Sequence, residues 1–388
     1  MFTQTLSSTL ALAAPQETLC TLASAFDAGE FATALLGLLG FFFGLLVLSN
    51  VLPGRTVKGF RQADGTRKTY LLNGMSLWVL AHIIVITGTL RFGLSLSPLL
   101  TRYFWPLFIS ANLLSVAWTL QLYLRGRARL GSRFEPTPGP LGVVHDLWMG
   151  VELNPTWRRV DLKLFAYQPS LIGLWLLVLA SAYHQHETLG YLTPQMVLFQ
   201  LFWWLYLTTH YRAEPGLLSM WDIIAERFGF MLVWGDLAFV PFFYSVAGWY
   251  IATQPASFST PALIGLVLLF APSLWIFRGA NAQKHRFKLD RDAPIWGRPP
   301  RLVGGRLLAS GFWGIGRKLN YTGELGVYFA IALCSGLVSP WPFAVPVWLL
   351  CLLTHRAWRD DLRCREKYGP LWAEYCERVR FRMIPFLY

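Results

Sequence analysis

The sequence predicts an all-α integral membrane protein, a bundle of about nine to ten transmembrane helices. Of the 388 residues, 54% are hydrophobic and the mean hydropathy is +0.42, values typical of a membrane domain. The apolar residues also fall into long runs separated by short basic segments. Nine runs are predicted as spans, at 31–51, 70–93, 103–124, 169–184, 191–209, 228–252, 260–277, 321–337 and 341–353. A further run, 307–315, is too short to cross a bilayer and is expected to be re-entrant or interfacial.

The positions of lysine and arginine predict the orientation. With nine crossings, one side of the membrane receives 32 of the 34 Lys and Arg residues, in segments 52–69, 125–168, 210–227, 278–320 and 354–388. By the positive-inside rule this side is the cytoplasm, so the N-terminal segment 1–30 lies outside and the C-terminus inside. The membrane would be the endoplasmic reticulum in a eukaryote or the inner membrane in a bacterium. Topology explains the net charge of +13, so no nucleic-acid partner is predicted.

Two basic segments near the C-terminus place polar side chains on helical faces. The first face carries Asn281, Lys284 and Lys288, spaced i, i+3, i+7. The second face carries Arg356, Asp360, Arg363, Cys364, Lys367 and Tyr368. Two cationic faces beside a membrane domain suggest a pocket for a phosphate-bearing ligand. The alternative from composition alone is a pair of solvated positive-inside faces.

Ionisable groups within or beside spans are candidates for catalysis because they are costly in a membrane. Asp236 lies within the sixth predicted span and Glu324 at the start of the eighth. Tyr206 ends an aromatic run near the cytoplasmic end of the fifth span. The simpler interpretations are interhelical hydrogen bonds for the two carboxyls and an interfacial aromatic residue for the tyrosine.

Motifs for other chemistries are weak in this chain. His184 and His186 have poor spacing for a metal site, and no metal is predicted. GxSxG, HExxH and GxGxxG are all missing from the sequence, which argues against a serine hydrolase, a zinc protease and a Rossmann nucleotide site. A nucleotide would have to be held by side chains between helices.

An ordered set of motifs resembles the sterol reductase family, which includes delta-14 and delta-7 sterol reductases and the fungal delta-24(28) enzyme. The motifs cover about residues 70–388 and are NG (73–74), ELNP (152–155), DLKLF (161–165), WDI (221–223), RFGFML (227–232), WGD (234–236), VPFFY (240–244), FRGANAQK (277–284), SGFWG (310–314), NYTGE (320–324), HRAWRDDLRCREKYG (355–369) and WAEYCERVRFRMIPFLY (372–388).

The resemblance implies a single polytopic domain over 31–388, with a cytoplasm-facing NADPH pocket in the half from about 228 to 388. It also implies a second pocket that receives a sterol from the bilayer. Carried over by position, the cofactor residues are Lys284, Lys288, Trp313, Asn320, Tyr321, Arg356, Asp360, Arg363, Cys364 and Tyr368. The cationic side chains can bind the phosphates of the cofactor, the aromatic side chains can stack on its rings, and the Asn320 amide can hydrogen-bond to its carboxamide.

The resemblance also implies the reaction, reduction of a sterol C=C bond by protonation and then hydride transfer. The delta-14 bond is slightly favoured over delta-7. We expect Tyr206 to be the proton donor, linked to Asp360 or Asp236 by hydrogen bonds, with Glu324 as the second choice.

Two alternatives remain open from the sequence. The ending KYGxxWxxY also resembles membrane isoprenylcysteine carboxyl methyltransferases, which use S-adenosylmethionine. A non-catalytic sterol-binding protein is the other alternative, because Thr209 stands where the family usually has an acidic residue. The departures Thr156 and Ser170 lie, like Thr209, on the expected substrate side, so the reaction type is better supported than the substrate.

Overall fold

A computed structural model of the chain describes residues 27–61 and 65–388. Most of the predicted N-terminal segment 1–30 therefore lies outside the described residues. The described part is mainly helical, as the sequence predicts. It also contains six short strands, which the all-α prediction does not include. Each strand pairs with its neighbour along the chain in a two-stranded antiparallel hairpin.

The α-helices are, in chain order, α1 (Ala28–Val51), α2 (Gly74–Phe92), α3 (Ser97–Thr101), α4 (Phe104–Leu130), α5 (Gly142–Met149), α6 (Leu162–Leu189), α7 (Pro194–Arg212), α8 (Glu214–Leu217), α9 (Trp221–Ile224), α10 (Phe230–Trp234), α11 (Val246–Ala252), α12 (Thr260–Leu289), α13 (Phe312–Ile315), α14 (Leu319–Leu333), α15 (Ala344–Tyr368) and α16 (Pro370–Arg378). A π-helical segment, Gly235–Phe243, joins α10 to α11, and 3₁₀ turns occupy Gly131–Arg133 and Trp341–Phe343. The strands are β1 (Arg55–Arg61), β2 (Arg67–Leu72), β3 (Thr156–Trp157), β4 (Val160–Asp161), β5 (Leu302–Val303) and β6 (Leu307–Leu308).

Within residues 27–61 and 65–388, six helical segments are long and apolar enough to cross a membrane, so the chain is an integral multi-pass membrane protein. They are Ala28–Val51, Gly74–Phe92, Phe104–Arg133, Leu162–Leu189, Phe230–Ala252 and Thr260–Leu289. Helices α7, α14 and α15 coincide with the three remaining predicted spans but are not among these six, so the count of nine crossings stays a prediction.

Two sequence-based boundaries need correction. The predicted span 70–93 begins too early, because its first residues form β2 and the helix starts at Gly74. The apolar run 307–315 is not one segment. It divides into β6 and the four-residue helix α13, because Ser310 and Gly311 separate them, and Gly311 has a φ of 61°.

Helix α6 forms the centre of the bundle. Of its most apolar stretch, 78% of the residues are buried inside the protein, against 17% for α1 and for α2 and 22% for α12. The outer helices therefore direct much of their apolar surface toward lipid. Asp161 starts α6 as its N-cap, since its carboxylate accepts a hydrogen bond of 2.9 Å from the Leu164 amide.

Helices α12 and α14 approach each other closely at Gly323. A Cβ atom at this position would lie 2.5 Å from the Phe277 amide nitrogen and 2.7 Å from the Ser273 carbonyl oxygen. Both neighbours are backbone atoms and cannot rotate away. The contact therefore requires glycine, and it brings Glu324 and Tyr328 of α14 against the Phe277–Arg278 step of α12.

Substitution of Gly323 tests this contact. Gly323→Ala should lower the unfolding free energy by about 1–3 kcal/mol, since the added methyl group must push two helices apart. Gly265→Ala on the partner helix α12 is the control, because a Cβ there meets no atom within 4 Å. Thermal unfolding in detergent measures both variants. Equal midpoints for the Gly323→Ala variant and the wild type would contradict the close packing.

Candidate active site

The predicted cofactor residues converge where α12, α14 and α15 meet. The Lys284 ammonium of α12 lies 4.2 Å from the centroid of the Trp313 ring. It is within electrostatic reach of Lys288 and Lys318 and of Asp360 and Cys364 on α15. The two helical faces identified from the sequence thus line one region, with three lysines around it.

Lys318 is a site residue that the sequence analysis does not single out. It is buried, it precedes α14, and it forms an ion pair with Asp360 of α15. Its only sequence signal is its position two residues before Asn320, at the edge of the NYTGE motif. No helical face includes it, because it stands outside a helix.

Asp360 serves as the counter-charge of this lysine cluster. It lies in the polar C-terminal half of α15, beyond the predicted span 341–353. Burial alone would raise the pKa of its carboxyl, but the neighbouring Lys318 outweighs burial and the pKa is below its ordinary value. The carboxylate is therefore ionised at neutral pH. It suits binding and orientation better than proton donation.

Asn320 presents an unpaired acceptor next to this cluster. Its amide nitrogen donates to the Asn281 Oδ1 atom at 3.2 Å, which joins α14 to α12. Its own Oδ1 atom is buried and has no hydrogen-bond partner among the residues that the structure describes. A buried carbonyl oxygen without a partner is costly, so this atom marks a position where a ligand N–H group would be stabilised.

The two predicted stacking residues differ in their surroundings. The Trp313 ring is buried, donates from its indole nitrogen to the Ala280 carbonyl at 2.8 Å, and carries Lys284 near its face. Tyr321 is half-buried and lies within electrostatic reach of Lys318, Arg356, Asp360 and Glu324. The Trp313 ring therefore holds Lys284 by a cation–π contact, whereas Tyr321 lies among the charged side chains.

Two arginines of α15 are held by residues 221–226, which comprise the one-turn helix α9 and the two residues after it and are called the loop 221–226 below. The Arg356 guanidinium lies 3.3 Å from the Asp222 carboxylate. The Arg363 guanidinium lies 4.2 Å from the centroid of the Trp221 ring. The loop thus fixes both predicted phosphate-binding arginines, a relation that helical periodicity cannot predict because the loop and α15 are far apart in sequence.

Cys364 and Tyr368 lie toward the C-terminal end of the site. The Cys364 sulfur is 3.9 Å from the Asp360 carboxylate. The Tyr368 ring stacks with Trp372 at 6.4 Å between centroids, and both Tyr368 and Cys364 pack against a small core around Val303 and Tyr375. These two residues connect the site to the packing of α16 and β5.

The Tyr206 side chain lies in an aromatic cluster between α7, α12 and α14. Its hydroxyl accepts a hydrogen bond of 2.8 Å from the Tyr328 hydroxyl. The Arg278 guanidinium lies 5.0 Å from the centre of the Tyr206 ring. Arg278 also donates to the Tyr206 carbonyl at 2.8 Å and to the Thr209 hydroxyl at 3.0 Å. Thr209 therefore contributes a neutral acceptor to Arg278 where the family pattern has a carboxylate.

The three candidate carboxyls are placed differently with respect to Tyr206. Glu324 lies within electrostatic reach of the Tyr206 hydroxyl and of Arg278. Asp360 is paired with Lys318, and Asp236 lies in the π-helical segment near Asp222. Among the described residues, Tyr328 provides the direct hydrogen bond to the Tyr206 hydroxyl, in place of the expected Asp360 or Asp236. The difference arises because α7 packs against α14, which places Tyr328 next to the Tyr206 ring, with 5.4 Å between the ring centroids.

A narrow cleft adjoins the tyrosine pair. Its free volume is about 10 Å³, and its walls include Trp203, Tyr244 and Tyr328 with apolar residues of α14 and α15. The Tyr244 and Tyr328 rings meet edge to face at 5.3 Å. The apolar, aromatic walls beside a hydroxyl pair match the chemistry of a hydrophobic ligand with one reacting atom, which would have to widen the cleft to enter.

The family model described as the ergosterol biosynthesis ERG4/ERG24 family matches residues 5–388. The chain belongs to this family. It is 40% identical to the delta(14)-sterol reductase of Arabidopsis thaliana, over 90% of this chain and 94% of the relative. It is 36% identical to the delta(14)-sterol reductase of Methylotuvimicrobium alcaliphilum, over 89% and 81% of the two chains. It is 35% identical to the delta(14)-sterol reductase TM7SF2 of Mus musculus, over 90% and 85%.

Family membership confirms the resemblance drawn from the ordered motifs. The match covers nearly the whole chain, whereas the resemblance to the methyltransferases is confined to the ending. Within residues 27–61 and 65–388, no three His, Cys, Asp or Glu side chains lie close enough to hold a metal ion.

Proposed function

We propose that the chain reduces a carbon–carbon double bond of a membrane-dissolved sterol, the delta-14 bond, with NADPH as the reductant. The three relatives described above match about 90% of the chain and are delta(14)-sterol reductases, which supports the substrate. The observation that carries the chemistry is the juxtaposition of the Tyr206–Tyr328 hydroxyl pair with an aromatic cleft.

The residues near Lys284 fit NADPH. Lys284, Lys288, Lys318 and Arg356 supply cations for its phosphates, and the unpaired Asn320 Oδ1 atom can accept from its carboxamide. The negative charge of Asp360 reduces the repulsion among these lysines when no cofactor is bound. When bound, the cofactor supplies a hydride equivalent.

Tyr206 is proposed as the acid because an isolated sterol alkene is not electrophilic and must first be protonated. The Tyr328 hydroxyl donates to the Tyr206 oxygen, so the proton of Tyr206 itself remains free to point at the substrate. The same hydrogen bond and the Arg278 cation stabilise the oxygen anion left after transfer. The faces of the surrounding aromatic rings stabilise the sterol carbocation, and the cleft excludes water that would capture it.

Glu324 is proposed as the carboxyl that supports the tyrosine pair, since it lies within electrostatic reach of Tyr206 and Arg278. It balances the Arg278 charge that Thr209 cannot balance. This arrangement argues against loss of activity at Thr209. Asp236 is proposed to act more remotely, through Asp222 and the loop 221–226.

The proposed orientation has the N-terminus outside, nine crossings and a single domain over 31–388, with the cofactor half on the cytoplasmic side. It rests on the distribution of lysine and arginine. Accessibility tags at Tyr388 and within 131–140 should both be cytoplasmic, while a tag at Met1 should be external. Both termini on one side would favour an even number of crossings.

The hydroxyl pair can be tested by removing single oxygen atoms. Tyr206→Phe should lower turnover by roughly a hundredfold or more, the scale of a lost general acid. Tyr328→Phe should lower it by about tenfold, since one hydrogen bond to the reacting oxygen is lost. The KM for NADPH should hardly change in either variant. Tyr183→Phe is a matched control, because it removes a hydroxyl that bonds to Thr89 outside the site. Near-normal turnover of Tyr206→Phe would transfer the acid role to Glu324.

The lysine cluster can be tested by cofactor preference. NADPH should be favoured over NADH by about tenfold or more, the scale of one charge-assisted phosphate contact. Lys284→Met should raise the KM for NADPH and narrow this preference. Lys58→Met, which removes an exposed lysine of β1, should change neither. Equal efficiency with NADH in the wild type would overturn the assignment of the cluster.

A further inference from the structure

Lys163 is a buried cation whose role the reaction does not explain. It lies in the first turn of α6 and only 2% of the residue is exposed. Its ammonium donates to the carbonyl oxygens of Asp222 and Glu226, each at 2.6 Å, and to that of Ile223 at 3.4 Å. An ammonium has three N–H donors, so the three carbonyls of the loop 221–226 use all of them.

The same loop holds the arginines of α15 through its side chains. Asp222 pairs with Arg356 at 3.3 Å, and the Trp221 ring carries the Arg363 guanidinium at 4.2 Å. Glu226 accepts from the Trp221 indole nitrogen at 2.6 Å, which fixes the plane of the ring. Lys163 thus holds the backbone of the loop, while the side chains of the loop hold the two arginines.

We propose that Lys163 is a positioning residue for the cofactor site, which sets the placement of Arg356 and Arg363 by clamping the backbone of the loop 221–226 to α6. The inference rests on the proposed function, because it assigns those arginines to the cofactor phosphates. Lys163 does not touch the arginines itself.

The electrostatic surroundings support a clamp. The ammonium lies within reach of the Asp222 and Glu226 carboxylates of the loop and of Asp161 and Lys68 on the α6 side. An apolar side chain at this position would leave three carbonyls without donors in a buried place. The loop would then move to recover partners, and Asp222 and Trp221 would move with it. Arg356 and Arg363 would then be mobile, and NADPH binding would have to include the entropic cost of ordering both side chains.

The first test is the steady-state kinetics of full-length Lys163→Met in detergent or membranes. The KM for NADPH should rise by about tenfold with a smaller change in kcat, the size of coupling found between residues of one network. Lys68→Met is the matched control. It removes an ammonium that contacts the Asn154 carbonyl at 2.8 Å and pairs with Asp161 at the start of α6, so it disturbs the same end of α6 without a contact to the loop. An unchanged KM in Lys163→Met, or an equal rise in Lys68→Met, would overturn the proposal.

A double-variant cycle separates positioning from general destabilisation. Asp222→Asn weakens the pairing with Arg356 without changing the shape of the side chain. If Lys163 acts through this pair, the combined variant should raise the KM for NADPH little more than the stronger single change. If the two fold-changes multiply, the residues act independently and the proposal fails.

A third variant covers a failure of Lys163→Met to fold. Lys163→Arg keeps the buried charge, but a planar guanidinium cannot reproduce three donors that diverge from one nitrogen. It should still raise the KM for NADPH more than Lys68→Met does, and an unchanged KM would overturn the proposal. Wild-type protein that shows no NADPH-dependent reduction of a delta-14 sterol would refute the proposed function instead, which keeps the two failures distinguishable.

Discussion

The close contact between α12 and α14 at Gly323 is the constraint on which the site depends. Toward one end of this contact, Arg278 of α12 meets the cluster formed by Tyr206, Tyr328 and Glu324. Further along, Asn281 of α12 bonds to Asn320 of α14. A wider separation of the two helices would disrupt both the aromatic cluster and the lysine cluster. The absence of a side chain at Gly323 therefore lets the two helices pack closely, and this packing sets the positions of the proposed acid and of the proposed cofactor residues relative to each other.

The charges of the C-terminal half are arranged as compensated groups. Lys318 pairs with Asp360 and Arg356 pairs with Asp222. Deeper in the protein, the buried Asp361 carboxylate lies 3.2 Å from Arg382, 3.4 Å from Arg365 and 3.5 Å from Arg317. The last group ties the C-terminal residues to the segment before α14, since a buried carboxylate is tolerable only with such partners. The paired groups fix the relative positions of the helices, and the Lys284 ammonium, 4.2 Å from the Trp313 ring centroid, adds positive charge to the site.

Sequence reasoning predicts what depends on local pattern and misses what depends on long-range packing. The faces with Lys284 and Asp360 follow from helical spacing, and the structure brings them together. Lys318 is missed because it lies in an irregular segment. Tyr328 is missed because its role depends on a hydrogen bond to Tyr206, a residue far away in the sequence. The hairpins β3–β4 and β5–β6 escape notice because strands of two residues carry no periodicity. The longer hairpin β1–β2 is missed because the apolar end of β2 falls within the predicted span 70–93. The role of Lys163 is equally invisible, since its partners are backbone carbonyls, which have no sequence signature.

The central claim is that an exchangeable hydroxyl proton from the protein reaches the alkene while the second hydrogen comes from the cofactor. The most direct measurement is the mass of the reduced sterol formed by the wild-type protein in D₂O with unlabelled NADPH. The Tyr206 hydroxyl exchanges with solvent, so the account predicts one deuterium per product molecule. A product without deuterium, or with two, would contradict it.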